Sequence, residues 1–317
     1  MWSWNFPPAP KYSADDVPDM TGKVVFITGG SSGIGKELAR VLITKNAKVY
    51  IAGRSMKKSQ EAIEELKTAT GKSEAIVQAI GMDLSDLASV KAGVDDFLSK
   101  ESRLDVLYNN GGVMNRPHSE LTKDGLDIQF ATNVLGHFYL TKLLMPTLLA
   151  SAKTAPEGKV RVIEVSGGGV MIAPSAKVGG PVVIDSLIDG PTRNKFDAQT
   201  LFCQSKSGQA LHAMALSRRF ADQGIVCISL HPGIITTPLW NEGNNKMPWL
   251  KKMSYGVEYG ALTPLYAGTS TDALEFNGKF LVPWARVGEC RSDHYNVAVQ
   301  DAMWNWCEEA ITKYGPK

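Results

Sequence analysis

Lys23-Val24-Val25-Phe26-Ile27-Thr28-Gly29-Gly30-Ser31-Ser32-Gly33-Ile34-Gly35 carries the fold. The run from Lys23 to Thr28 is short and apolar, and it ends in glycines. From Gly33 to Asn46 the pattern turns helical, with Ile34, Leu38, Val41 and Leu42 on one face. Glycines allow a tight turn and close backbone approach. The helix start offers free N–H groups and the positive end of a dipole to a pyrophosphate. A glycine turn alone is weak evidence. Placed between a first strand and a first helix, it reads as a nucleotide-binding loop.

The same alternation continues outward. Ala47–Ala52, Ala75–Ile80, Asp105–Tyr108, Val160–Val165 and Ile225–Leu230 read as strands, with Lys279–Val282 as a seventh. Helical patterns span Ser55–Thr70 (stopped by Gly71), Ser85–Lys100, Gly125–Ala150 and Ala198–Gln223. Apolar strands alternating with helices imply an α/β, doubly wound parallel sheet of about seven strands, with helices on both faces. Ligands of such sheets bind beyond the carboxyl ends of the strands. The expected organisation is an N-terminal extension, 1–20, and a single nucleotide-binding domain, 21–317. That domain includes an insertion at 167–197, a substrate loop at 238–255 and a C-terminal extension at 284–317.

Composition narrows the function classes. The 317 residues carry a net charge of +2 and are 44% hydrophobic, which argues against nucleic-acid binding and against wholesale disorder. Cys203, Cys227, Cys290 and Cys307 form no CxxC pair, so reduced thiols and a cytoplasmic location are expected, with no metal. The most apolar stretch, Val134 to Leu149, is broken by His137, Lys142 and Pro146. It is also shorter than the ~20 residues of a transmembrane span. The start of the chain lacks the pattern of a secretory signal. Trp2, Trp4 and Phe6 are expected to pack on the body or to be disordered, rather than to touch a membrane.

The second strand ends in Ala52-Gly53-Arg54-Ser55. A carboxylate at this point would hold a ribose 2′-hydroxyl and favour NAD. Gly53 followed by Arg54 favours a 2′-phosphate, hence NADP(H).

The TGxxxGxG pattern, together with Tyr108-Asn109-Asn110-Gly111-Gly112, Asp83-Leu84, Asn133 within TNVLGHF, Lys206 in QSK, and His231-Pro232-Gly233 with Thr237 behind, resembles the short-chain dehydrogenase/reductase family. The resemblance covers roughly residues 20–285. The N-terminal lead and the TNVLGHFYLTKLL segment resemble the retinol-dehydrogenase-like branch, and its fungal members in particular. The resemblance implies a single-domain Rossmann-type fold and nicotinamide-dependent chemistry on alcohols and carbonyls. It implies that Gly29, Ser31, Ser32, Gly33, Ile34 and Gly35 line the pyrophosphate, and that Asp83 and Leu84 flank the adenine. Asn110, Gly111 and Gly112 would lie beneath the adenosine ribose. Pro232, Gly233, Ile235 and Thr237 would approach the nicotinamide end. Where the family usually has NNAG this chain reads NNGG, a mild change assigned to position 112.

The implied catalytic positions depart from the pattern. The family uses Ser, Tyr and Lys in a YxxxK arrangement, with Asn from the long helix. Counting back from Lys206 reaches Phe202, and no tyrosine in the chain has a lysine four residues on. The strand end reads Val165-Ser166-Gly167, so the catalytic serine position is glycine and Ser166 survives as its neighbour. The candidate catalytic set is therefore Asn133, Ser166, Phe202 and Lys206, with Lys206 also holding the nicotinamide ribose. Loss of a positioned general acid costs ~10²–10⁴-fold in rate.

Three explanations stand open. Phe202 is an engineered change in a working reductase, or the chain is a natural relative with other chemistry such as cyclisation or isomerisation, or it is a non-catalytic NADP(H)-binding protein. His137, His231, Cys203 and His118 are the substitute proton donors to weigh. Leu239, Trp240, Met247, Trp249 and Met253 make the substrate loop apolar, so a small hydrophobic carbonyl or alcohol is the expected substrate. Trp304 and Cys307 are expected to face the body from a C-terminal helix. Family members often pair through their two long helices, so a homodimer or homotetramer is expected unless the extensions cover them.

Overall fold

Among the described residues, seven strands run parallel in one sheet, and an eighth closes its edge. A computed structural model describes residues 4, 6–72, 77–155, 159–175, 179–239 and 253–317. The strands are β1 (Val24–Thr28), β2 (Lys48–Gly53), β3 (Val77–Gly81), β4 (Val106–Asn109), β5 (Val160–Val165), β6 (Ile225–Leu230), β7 (Phe280–Val282) and β8 (Arg286–Gly288). Their order is β3-β2-β1-β4-β5-β6-β7-β8, and only β8 is antiparallel to its neighbour. The sequence falls silent before β8 because that strand has three residues, with Val287 half exposed.

Helices α1 (Gly33–Thr44), α2 (Met56–Thr70) and α6 (Val257–Thr269) pack on one face. Helices α3 (Leu87–Lys100), α4 (Gly136–Ala152) and α5 (Ala198–Phe220) pack on the other, with α7 (Val297–Tyr314) as an outer layer. Both faces are covered, which is why β1, β4, β5 and β6 are buried along their whole length. Helix α6 escaped the periodicity reading. It is buried on most sides, and an all-round apolar helix has no amphipathic stripe to find.

The long helix expected from Gly125 begins later. Gly125 closes a turn at φ +75°, and the Asp127 carboxylate accepts the N–H groups of Gln129 and Phe130 at 3.1 and 2.9 Å. A helical turn at Ile128–Phe130 and a π-helical turn at Ala131–Leu135 then lead into α4. Such π-turns mark functional positions in helices, and this one carries Asn133.

The N-terminal lead is packed on the body. Trp4 stacks on Phe280 at 5.6 Å and lies 6.1 Å from the His231 ring. Val17 and Met20 enter the core, and the Tyr12 hydroxyl bonds Thr269 Oγ1 at 2.9 Å. Phe6 is 41% exposed. Trp2, Trp240, Met247 and Trp249 lie outside the described residues. Among the described residues, no helix is long and apolar enough to cross a membrane.

Candidate active site

The carboxyl ends of β1, β4, β5 and β6 meet at one rim of the sheet. At β1, Gly29 turns at φ +67°, and a Cβ there would sit 2.8 Å from Gly111 Cα. A Cβ on Gly35 would sit 2.4 Å from the Gly29 carbonyl oxygen and 2.6 Å from Asn110 Nδ2. Any side chain at either position would fill the cradle. Ser32 begins α1 without a side-chain cap, so the first-turn N–H groups stay available to an anion. Thr237 closes over this turn, 3.3 Å from where a Cβ on Gly33 would lie.

Thr28 ties the cradle to the loop after β4. Its hydroxyl accepts the N–H groups of Asn110 and Gly111 at 2.9 and 2.8 Å, and Asn110 Nδ2 donates to the Thr28 carbonyl at 2.9 Å. The Ala-to-Gly departure from NNAG falls, on counting the motif, at Gly111 and not at Gly112. A Cβ at 111 would come 3.1 Å from Leu84 Cδ1. At Gly112 it would come 2.7 Å from Asn133 Oδ1, so glycine is required there. Asp83 Oδ1 is taken up by the N–H and hydroxyl of Ser85. Arg54 is exposed at the end of β2. Nearby, Ser59 Oγ is buried without a partner, 3.4 Å from where a Cβ on Gly53 would lie. Ile235 packs with Leu262 and Trp284 and bridges to Tyr255.

Asn133 is fully engaged. Its Oδ1 accepts the Val113 N–H at 2.8 Å, and its Nδ2 donates to the Val113 carbonyl at 3.0 Å and to Ser205 Oγ at 2.8 Å. Lys206 Nζ donates to the Val165 carbonyl at 3.1 Å and to Gln209 Oε1 at 2.8 Å. Burial brings the Lys206 ammonium down to about 8, with Glu164 pulling the other way. The ammonium stands 5.7 Å from the centre of the Phe202 ring. A Cβ on Gly167 would lie 3.7 Å from Lys206 Cγ. Thus Phe202, Lys206 and Gly167 converge as the motif spacing implies.

Comparison with known proteins now fits this geometry. The short chain dehydrogenase family model matches residues 23–248. The chain belongs to the short-chain dehydrogenase/reductase family. A short-chain dehydrogenase/reductase of Armillaria gallica is 46% identical over 313 residues, covering 98% of this chain and 96% of that protein. An uncharacterized oxidoreductase of Schizosaccharomyces pombe is 35% identical over 300 residues, covering 92% and 86%. Among solved structures, an uncharacterized protein from Mycobacterium paratuberculosis aligns with a TM-score of 0.72 at 26% identity, covering 96% and 99%. A 3-ketoacyl-(acyl-carrier-protein) reductase from Brucella melitensis, complexed with NADH, aligns at 0.63 and 21%, covering 83% and 96%, and shares the fold. Membership in this oxidoreductase family brings a nicotinamide cofactor with it.

In this short-chain dehydrogenase/reductase the substitute proton donors sort themselves by burial. His137 is fully buried, and burial lowers its pKa to about 4. As a neutral ring it donates from Nδ1 to the Asn133 carbonyl at 2.8 Å, so Nε2 accepts the Thr28 hydroxyl proton at 2.8 Å. It pins the π-turn to Thr28 beside the glycine cradle and has no nitrogen left for another partner. Burial pushes the Cys203 thiol up to about 11. His118 contacts the Arg193 that pairs with buried Asp127. Ser166 is turned away as well, donating to the Lys206 carbonyl at 2.6 Å. His231 and Cys203 both border the glycines: His231 Nε2 lies 3.4 Å from where a Cβ on Gly168 would lie, and Cys203 Sγ lies 3.4 Å from where a Cβ on Gly169 would lie; burial lowers the His231 pKa to about 4.

Sequence reasoning missed one buried group altogether. Glu164 on β5 is completely buried and accepts from Asn109 Nδ2 at 2.5 Å, while His212 Nδ1 lies 2.9 Å from its Oε1. A carboxylate in a strand that is apolar but for it and Arg161, Val-Arg-Val-Ile-Glu-Val, was the available signal.

Proposed function

We propose that this chain is an NADP(H)-binding reductase of small hydrophobic carbonyl compounds, or the reverse dehydrogenase, with the usual side-chain proton donor absent. The observation that carries the reading is the convergence of Lys206, Phe202 and Gly167 at the rim that holds the glycine cradle. The residues fit a dinucleotide. The cradle has room for backbone-close phosphates, α1 presents uncapped N–H groups, and Ser59 Oγ is an unspent polar atom beside Gly53 and Arg54. Arg54 would grip the 2′-phosphate and no acid competes with it at Gly53. Lys206 spends two N–H groups on Val165 and Gln209, which leaves its third for the nicotinamide ribose.

The nicotinamide supplies hydride exchange when bound. The chain orients the partners. Asn133 holds the loop wall at Val113, and Thr237 covers the phosphate turn. Phe202 cannot give a proton, Ser166 is bonded to helix α5, and the neutral His137 is fully spent. Proton delivery therefore falls to solvent, and the rate falls with it. Leu239 and Met253 border an apolar substrate loop.

The test is NADPH oxidation over a panel of hydrophobic aldehydes and ketones, comparing the chain with Phe202→Tyr. A gain of two or more orders of magnitude supports a reductase missing one hydroxyl. Conversion of substrate with no net change in NADPH would replace this reading with non-redox chemistry. Failure to bind any dinucleotide would end it.

A further inference from the structure

Beneath the rim, on the α4 and α5 face of the sheet, lies a patch of polar groups that the proposed chemistry does not use. Asn109, Glu164 and Ser229 are successive neighbours across β4, β5 and β6. All three are completely buried. Asn109 Oδ1, Glu164 Oε2 and Ser229 Oγ have no partner, and neither does Gln209 Nε2 on the facing helix. Gln209 stands one helical turn after Lys206 and one before His212, so the three share a face of α5. At one end Gln209 Oε1 accepts an N–H hydrogen bond from Lys206 Nζ at 2.8 Å, and at the other His212 meets Glu164 at 2.9 Å.

Unpartnered buried polar atoms are rare in native proteins, and a group of them facing one another usually shares internal water. A single bare carboxylate oxygen in such a place is costly unless a cation answers it. The charged and titratable groups facing Glu164 are His212 on α5, His137 on α4, Cys227 on β6 and, through Gln209, Lys206. Those facing Lys206 are Glu164, His137 on α4 and, beyond β6, His231.

We propose that Glu164 is a buried counter-charge that keeps Lys206 an ammonium ion, acting through Gln209 and an internal hydration site lined by Asn109, Gln209 and Ser229. Glu164 touches neither substrate nor cofactor, so it is a positioning residue. Burial pushes its carboxyl up, but His212, His137 and Asn109 outweigh this and hold it below the usual carboxylate value. The same burial works to strip the proton from Lys206, and Glu164 opposes it. Without the carboxylate, Lys206 would lose its charge closer to neutrality and with it the donor for the ribose. The proposal rests on the reading of Lys206 as the ribose-holding residue, but its test needs no cofactor.

The experiment is an NMR titration of the full chain labelled with carbon-13 at the lysine ε-carbons, with the Lys206 resonance assigned by its loss in Lys206→Arg. The expected Lys206 midpoint is near pH 8. Glu164→Gln should lower it by at least one pH unit, a tenfold change in proton affinity. Ser229→Ala, which removes a hydroxyl and no charge, should leave it within a few tenths. A folded Glu164→Gln protein with an unmoved Lys206 midpoint overturns the proposal. Should Glu164→Gln not fold, reciprocity supplies the second arm. Lys206→Met must raise the midpoint of the Glu164 side-chain carboxyl resonance, and no rise overturns the proposal. A chain that binds no dinucleotide yet shows both shifts would sink the proposed function and leave the charge pairing standing.

Discussion

The Ser166 hydroxyl donates to the Lys206 backbone carbonyl at 2.6 Å, joining the end of β5 to the middle of α5. This bond commits the one serine that remains at the strand end. It cannot also stabilise a substrate oxygen. In the proposed reading the place for such a hydroxyl is the neighbouring Gly167, whose backbone is extended at φ 170° and whose missing Cβ would meet the Lys206 stem at 3.7 Å.

Restoration should therefore be possible at both positions. Gly167→Ser is expected to fold with an unchanged melting temperature. Phe202→Tyr is expected to raise NADPH-dependent carbonyl reduction by ~10²–10⁴-fold, the contribution of a positioned general acid. The double variant should exceed it further, since one oxyanion donor is worth on the order of 10²–10³. The two gains should not simply multiply, because groups that act as a unit are not additive. Initial rates of NADPH consumption decide the matter, and an inert double variant would exclude the reductase reading.

Cofactor choice should follow the end of β2. Arg54→Ala is expected to weaken NADPH binding by roughly tenfold or more, from loss of a charge-assisted phosphate contact. Binding of NADH should be little changed. Gly53→Asp has ordinary van der Waals room beside Ser59 and should reverse the preference toward NADH. Calorimetric titration with both dinucleotides reads the ratio directly.

Stability should fall in mild acid. Burial lowers His137 and His231 to about 4. At pH 7 both are neutral in the folded and the unfolded chain, so neither costs stability. Below the ordinary histidine value near 6.5, the unfolded chain binds protons that the folded chain refuses, down to about pH 4. The loss is about 3 kcal/mol for each histidine over that window. Glu164, held low, loses its stabilising charge as pH falls further, while Asp127, pushed up by burial, works in the opposite sense. Urea midpoints at pH 7, 5.5 and 4.5 should decline in that order. Midpoints that do not fall across this range would mean that these histidines are not buried neutral.

The chain should be a monomer. Helix α7 lies over the two long helices through which pairing was expected. Trp304 packs edge-on against Phe138 at 4.7 Å and under the Arg219 guanidinium at 4.3 Å. Asp301 bridges Arg218 and Arg219 at 2.8 and 2.7 Å, and Glu308 pairs with Lys142. Cys307 is completely buried beneath. Light scattering on the eluting protein should give one species at 34.4 kDa. A stable dimer would show that pairing uses another surface.

The glycine turn, the seven parallel strands and the YxxxK-type spacing at Phe202 and Lys206 were legible because each is local. A period of 2 or 3.6 residues states which face is buried, and a glycine states where a backbone must pass closely. Hence β1 and α1 lie within two residues of where the pattern puts them. By the same logic α6, buried all round, and β8, with three residues, left too little periodic signal.

What only the tertiary structure decided is which polar groups meet. Glu164, Asn109 and His212 are 55 and 48 residues apart. They come together because β4 and β5 are in register and α5 crosses back over them. His137 spends one nitrogen on its own helix and the other on Thr28, 109 residues away, and Ser166 spends its hydroxyl on a helix 40 residues on. Burial period is written residue by residue along the chain. Polar partnership depends on strand order and helix crossover, which only the packed molecule supplies.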